Sequence, residues 1–314
     1  MTARTRVAVV GGGRSCEHDV SLASAASVAS GLDPTTYDVV PLTIGRDGTW
    51  HDRGMRPIGL SGAAQVLRGC DVVFPVVHGP HGEDGTVAAL CELAGLPYVG
   101  SGVTAGAVAM DKWVTKLVAG AIGLATAPGH LVDTATAAHE HWTHPVVVKP
   151  VAAGSSHGVT LVERPDDLRP ALDAALALDR RALVEDVVTG REIDVAVLRR
   201  ADGRVVASPP LEVVVDGVFD LHTKYGGHAD LRVPARLDEV DAKALEDAAL
   251  AAYGALGCSG VARVDFFLTD AGPVLNEVNT IPGLTEHSQV PRMFAAAGLA
   301  YPDLLDELVR GAHR

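Results

Sequence analysis

The 314-residue chain carries 26 basic against 39 acidic side chains, a formal net charge of −13, with 47% hydrophobic and 21% charged residues. That length and balance suit a globular protein of two or three domains with sizeable cores, and the negative charge disfavours DNA, RNA or an anionic membrane as partner. No apolar run approaches a membrane span, the opening Met1-Thr-Ala-Arg-Thr-Arg6 does not read as a signal peptide, and the four scattered cysteines lack CxxC spacing. Together these point to a cytoplasmic protein with reduced thiols.

In chain order, Arg6-Val-Ala-Val-Val-Gly11-Gly-Gly13 predicts a buried parallel strand and a tight glycine turn, followed by a helix over 22–32 capped by Ser21. The apolar runs at 37–44 and 70–78 predict two more strands, so 1–103 is expected to form an open parallel α/β domain with its ligands beyond the strand C-termini. The glycine turn only half-matches a dinucleotide fingerprint, because Cys16 stands where the third glycine belongs, and no GxxxxGK[ST] occurs. A second unit over 104–199 is expected to hold a helix at 105–123, strands at 145–149, 159–162 and 182–187, and a helix at 165–178. The third, 200–314, holds a strand at 211–215, a Gly/His-rich loop at 219–234, a helix at 238–256, a hairpin and a last helix from Pro302. No repeat or low-complexity linker separates these units, which are expected to pack tightly.

The hairpin carries the plainest chemistry. Asp265 lies in one strand run, and Glu277 and Asn279 lie on one side of the next, beyond the turn Thr269-Asp-Ala-Gly-Pro273. Three oxygen-bearing side chains on one small surface suit a hard divalent cation completed by phosphate oxygens. Lysine usage adds to this: 21 of the basic residues are Arg and only 5 are Lys. Lys149 ends a strand and precedes Gly154-Ser155-Ser156-His157-Gly158, a loop whose N–H groups can fold over a triphosphate, whereas Lys116 and Lys243 read as solvated surface. Leu183-Val-Glu185-Asp-Val-Val188, with Glu192 following, reads as a hinge whose backbone and carboxylates hold a nucleoside, or as a solvated acidic strand end.

In this order, the phosphate lysine, Gly-Ser loop, acidic hinge, Arg263-x-Asp265 and Asn276-Glu277-x-Asn279 resemble the ATP-grasp superfamily. Ser15-Cys-Glu17-His-Asp-Val-Ser21, His78-Gly-Pro-His-Gly-Glu83-Asp-Gly-Thr86, Met110-Asp-Lys112, Lys224-Tyr225 and Asn279-Thr-Ile-Pro-Gly283-Leu-Thr285 with His287-Ser288 extend the resemblance over the whole chain to the D-alanine–D-alanine ligases. The resemblance implies a three-domain ATP-grasp fold of mixed α/β class and ATP-dependent joining of two D-alanines through an acyl phosphate. It also implies two Mg²⁺ ions, with Mn²⁺ as a substitute, on Asp265, Glu277 and Asn279. Lys112, Lys149, Lys224 and Ser156 would hold ATP phosphates, and Glu185, Val188 and Glu192 the nucleoside. Arg263 and the Gly283 N–H would stabilise transferring phosphate and the tetrahedral oxyanion. Glu17 would bind the first ammonium and join Ser155 and Tyr225 in a triad closing the 219–234 loop. His78 would lie near the first carboxylate, and Ser288 and Gln289 would meet the second substrate. A homodimer is left open.

Three positions depart from the family pattern: Ala153 where a glutamate is usual, His157 where a small apolar residue is usual, and Gln289 where an aliphatic residue lines the second-substrate pocket. Gln289, a buried amide in need of partners, keeps the acceptor open, and a related ligase or cyclo-ligase for another D-amino acid stays in view. Tyr225 favours a D-amino acid over a D-hydroxy acid. A non-catalytic nucleotide-binding regulator sits badly with the complete set of Arg263, Asp265, Glu277 and Asn279.

Overall fold

The computed structural model describes residues 4–214 and 230–312, so Lys224, Tyr225 and most of the 219–234 loop lie outside the described residues. The first sheet has the order β3-β2-β1-β4, from β1 (Thr5–Gly12), β2 (Tyr37–Ile44), β3 (Trp50–His51) and β4 (Val72–Pro75). Strand β1 runs parallel to β2 and β4, and β3 is an antiparallel edge. The apolar run in β1 is continuous because its two faces enter different cores. Val7 and Val9 pack with Val28 of α1 (His18–Gly31), while Ala8 and Val10 pack with Ala63 of α2 (Gly59–Leu67) and Cys91 of α3 (Thr86–Ala94).

Two local expectations change. Helix α1 starts at His18, with Glu17 at the N-cap, and Ser21 lies inside it, fully buried. Ser21 Oγ donates to Val76 O at 2.5 Å and accepts from Gly12 N–H at 2.8 Å, so the hydroxyl clips the helix to two strand ends instead of capping it. The helix expected over 105–123 is two helices, α4 (Val103–Met110) and α5 (Lys112–Ala121). Asp111 separates them in extended conformation and caps α5, accepting from Val114 N at 3.0 Å.

The second sheet is antiparallel, ordered β6-β9-β7-β8, from β6 (Gly129–Asp133), β7 (Val146–Pro150), β8 (Thr160–Val162) and β9 (Arg181–Asp186). Helix α6 (Pro165–Leu176) seals one face through Leu168, Ala171, Leu172 and Ala175. The third sheet is ordered β13-β12-β10-β14-β15-β5, with β11 (Val205–Ala207) beside β10. Its strands are β5 (Ala125–Thr126), β10 (Arg191–Arg199), β12 (Leu211–Val214), β13 (Asp230–Arg232), β14 (Val261–Thr269) and β15 (Gly272–Asn279). Helix α7 (Glu239–Ala255) covers one side of it through Leu245, Ala249 and Tyr253, capped by Asp238, which accepts from Asp241 N at 2.8 Å. Helices α8 (Gln289–Ala296) and α9 (Tyr301–Arg310) join the core shared with the first sheet. Strand β10, directly after the hinge, is not among the expected strands. Its Ile193, Val195 and Val197 enter the α7 core, while Ala196 and Leu198 enter the core of the first sheet, so one strand glues two cores together.

Candidate active site

The hairpin supplies the floor of the site. Arg263 and Asn279 are register partners, as are Asp265 and Glu277, and both pairs point away from the α7 core, which takes Val264, Phe266, Leu275 and Val278. A β-bulge follows Asp265 and leaves Asn276 unpaired between Leu275 and Glu277; all three border the cleft, and Leu275 and Val278 also enter the α7 core. Arg263 forks onto Asp265 through Nε at 2.7 Å and Nη2 at 2.6 Å, and Asn279 Nδ2 donates to the same carboxylate at 3.0 Å. Burial disfavours a charged Arg263, yet Asp265 and Asp194 outweigh it and hold the guanidinium firmly protonated.

Lys112, the first residue of α5, donates to Ala153 O at 2.8 Å and lies 3.1 Å from Glu277 Oε2. Lys149 spans the cleft from β7, 2.6 Å from Glu185 Oε2 on β9 and 3.2 Å from Asn276 Oδ1 on β15. Lys116 corrects the sequence reading. It is buried, bonded to Ala127 O and to the other oxygen of Glu185. The signal was its spacing of four from Lys112, which places both lysines on one helix face. Burial pushes the Glu185 carboxyl up, but Lys149 and Lys116 outweigh burial and hold it below the usual range; burial also draws Lys116 down.

Between these walls opens a cleft of about 550 Å³. Ser156 lines it on one side, and Val188 and Glu192 on the hinge side. Ser155 and Ser156 both adopt left-handed backbone (φ 50° and 55°), which turns the Gly-Ser loop tightly. Ser155 Oγ donates to Glu17 Oε1, and a Cβ on Gly154 would stand 2.5 Å from Glu17 Oε2. Glu17 therefore reaches the loop and makes no side-chain cap on α1. Tyr225, its expected companion, lies outside the described residues.

His78, 3% exposed, bonds Ser24 Oγ at 3.1 Å and Ile281 O at 2.8 Å, with Glu83 Oε1 3.8 Å away. Burial works against its charge, but the hydrogen bond and charge of Glu83, the charge of Glu17 and Ile281 O together raise its pKa. Ser24, absent from the sequence reading, also accepts from Leu284 N at 3.2 Å and so ties His78 to the 281–285 turn. In that turn Ser288 Oγ accepts from Thr285 N at 3.1 Å and approaches Gly283, whose Cβ would stand 3.4 Å away. Gln289 has found partners for both ends of its amide: Arg263 Nη1 at 2.6 Å and Asp194 Oδ2 at 2.8 Å.

Among the described residues no cluster of three or more His, Cys, Asp and Glu side chains forms a protein-only metal cage. Asp265, Glu277 and Asn279 offer two carboxylates and an amide on adjacent strand positions, an all-oxygen set with too few ligands of its own. That set fits Mg²⁺ shared with phosphate. Each carboxylate has a cation beside it, Arg263 or Lys112, which stabilises the paired negative charge.

An antiparallel sheet bearing a tight Gly-Ser loop, facing across a cleft a second sheet with acidic and cationic side chains, is the architecture of an ATP-grasp enzyme. Models described as D-ala D-ala ligase N-terminus and C-terminus match residues 6–65 with 54–101, and 122–310. A D-alanine–D-alanine ligase of Mycolicibacterium vanbaalenii is 44% identical, the match covering 99% of this chain and 98% of that one; another, of Mycolicibacterium smegmatis, is 43% identical over 98% and 95%. Among solved structures, the VanG D-Ala:D-Ser ligase of Enterococcus faecalis superposes with a TM-score of 0.87 at 33% identity, covering 98% of this chain and 99% of that one. The D-alanine–D-alanine ligase of Bacillus anthracis, solved with ATP, gives 0.80 at 27% identity, covering 98% and 97%. The chain belongs to the D-alanine–D-alanine ligase family.

Proposed function

We propose that this enzyme joins two D-alanines at the expense of ATP, through a D-alanyl phosphate, and so supplies the D-alanyl-D-alanine of peptidoglycan precursors in the cytoplasm. One observation carries the reading: Lys112, Lys149 and Arg263 converge from a helix and two sheets on the face that holds Asp265 and Glu277. On this reading ATP lies in the cleft, its nucleoside against Glu185, Val188 and Glu192 and its phosphates under Ser156, Lys112 and Lys149, with Lys224, outside the described residues, proposed as a further phosphate ligand. A carboxylate oxygen of the first D-alanine attacks the γ-phosphorus, and the bond to ADP breaks. The amine of the second D-alanine then attacks the acyl carbon, and phosphate leaves.

This chain's residues are preset for both steps. On this reading Glu17, oriented by Ser155, takes the first ammonium, and His78, its charge favoured by Glu83, lies near the first carboxylate. Arg263 and the Gly283 N–H stabilise charge developing on phosphate and on the tetrahedral oxygen. Ser288 binds the second carboxylate. Asp265, Glu277 and Asn279 would hold Mg²⁺, two ions on this reading, which would neutralise phosphate charge when bound. Tyr225, outside the described residues, is the proposed third member of the triad with Glu17 and Ser155.

The test is phosphate release from ATP with D-alanine, D-serine or D-lactate as second substrate, with the product weighed by mass spectrometry. D-alanyl-D-alanine as main product supports the reading, and no stimulation by D-alanine refutes it. A D-alanyl-D-serine product would move the assignment toward the acceptor of the Enterococcus faecalis neighbour.

A further inference from the structure

Gln289 joins two parts of the cleft that lie far apart in sequence. It opens α8 directly after Ser288, yet its amide is bound to the floor, to Arg263 on β14 and Asp194 on β10. Asp194 and Asp265 are register partners on adjacent strands, 2% and 4% exposed, so two buried carboxylates lie side by side. Arg263 serves them unequally, forked on Asp265 but with Nε 3.6 Å from Asp194 Oδ2. A guanidinium between two buried carboxylates is pulled by both, and the dry surroundings strengthen each pull.

The amide resolves that competition by its polarity. Its N–H gives Asp194 a donor, and its oxygen takes an Nη1 N–H that neither carboxylate uses. An aliphatic side chain at 289 offers neither contact. The arrangement thus orients the guanidinium with three side chains, one of them attached to the helix start that carries Ser288.

We propose that Gln289 and Asp194 are positioning residues that lock Arg263 onto Asp265 and tie it to the acceptor-side helix. Gln289 then acts on the reaction through Arg263 without touching the second substrate. The inference rests on the role assigned to Arg263 above.

Steady-state kinetics with ATP and D-alanine test it in Gln289→Met, Gln289→Glu, Asp194→Asn and the double variant Asp194→Asn/Gln289→Glu. Gln289→Met, close in size and apolar, is expected to lower kcat about ten- to a hundredfold, the value of a hydrogen bond to a charged group, with KM for ATP within about twofold. The double variant exchanges donor and acceptor while keeping the charge, and is expected to recover kcat above either single change. Melting temperatures establish that each variant is folded. Wild-type kcat in Gln289→Met overturns the inference, as does a raised KM for D-alanine with kcat intact, or a folded double variant no better than the worse single one. Arg263→Met separates the levels: if it keeps turnover, the role of Arg263 itself falls, and if it abolishes turnover while Gln289→Met keeps wild-type kcat, only the present inference falls.

Discussion

Lys149 Nζ stands 2.6 Å from Glu185 Oε2, with Lys116 on the other oxygen, and all three groups are buried. Two cations on one carboxylate leave a net positive charge beneath the cleft, which favours an anionic nucleotide. Lys116→Met removes one partner of a buried ion cluster. It is expected to destabilise the fold by roughly 3 kcal/mol and to weaken binding of a non-hydrolysable ATP analogue. Calorimetry of both quantities checks this, and unchanged values would show that Lys116 is a passive core residue.

The same cluster sets a pH dependence. Glu185 titrates below the usual glutamate value of 4.5, so its contribution is present above that pH and is lost as pH falls through the lower folded value. The stability gap between the native protein and Glu185→Gln should therefore be flat from neutrality down to mildly acidic pH, then shrink. A gap that starts to close already near pH 6 contradicts the ion cluster.

His78 behaves with the opposite sign. Its pKa is raised above 6.5, so the contribution of its charge is complete below that value and is lost as pH rises through the folded one. Glu83→Gln removes the hydrogen bond and charge that raise it. Its stability deficit should be widest under mildly acidic conditions and narrow toward alkaline pH, as chemical denaturation at a series of pH values will show.

Gly154 has no room for a side chain. A Cβ there would stand 2.5 Å from Glu17 Oε2 and displace the carboxylate from Ser155. Gly154→Ala and Ser155→Ala are each expected to cut turnover about tenfold or more with little change in melting temperature, because the loop covers the site and not the core. Turnover at the native rate in both would detach the loop from Glu17.

Removal of divalent cations with a chelator is expected to stop turnover, and Asp265→Asn to raise the Mg²⁺ concentration for half-maximal rate by about tenfold or more. Asp265→Asn also loosens Arg263, so kcat stays low even at saturating Mg²⁺. Full recovery at high Mg²⁺ would confine Asp265 to metal binding.

Much of this was legible because short motifs carry their own geometry. Period-two spacing put Arg263 beside Asp265, and the turn at 269–272 put Glu277 opposite it. What escaped the sequence depended on contacts between distant segments. Lys116 looked like solvated surface because its burial is made by β9 and the 125–127 stretch. β10 was lost because its alternate residues face two cores and a cleft, which blurs the alternation. Ser21 looked like a cap because no local pattern shows that Val76 and Gly12 claim its hydroxyl.

The bulge in β15 is a one-residue insertion into an otherwise regular hairpin. Without Asn276, Leu275 still meets Phe266, and Glu277 still meets Asp265. A single codon thus separates a hairpin that only displays its carboxylates from one that also grips Lys149 across the cleft. On the proposed reading, the placement of Lys149 over the phosphates is therefore adjustable without rewriting β14.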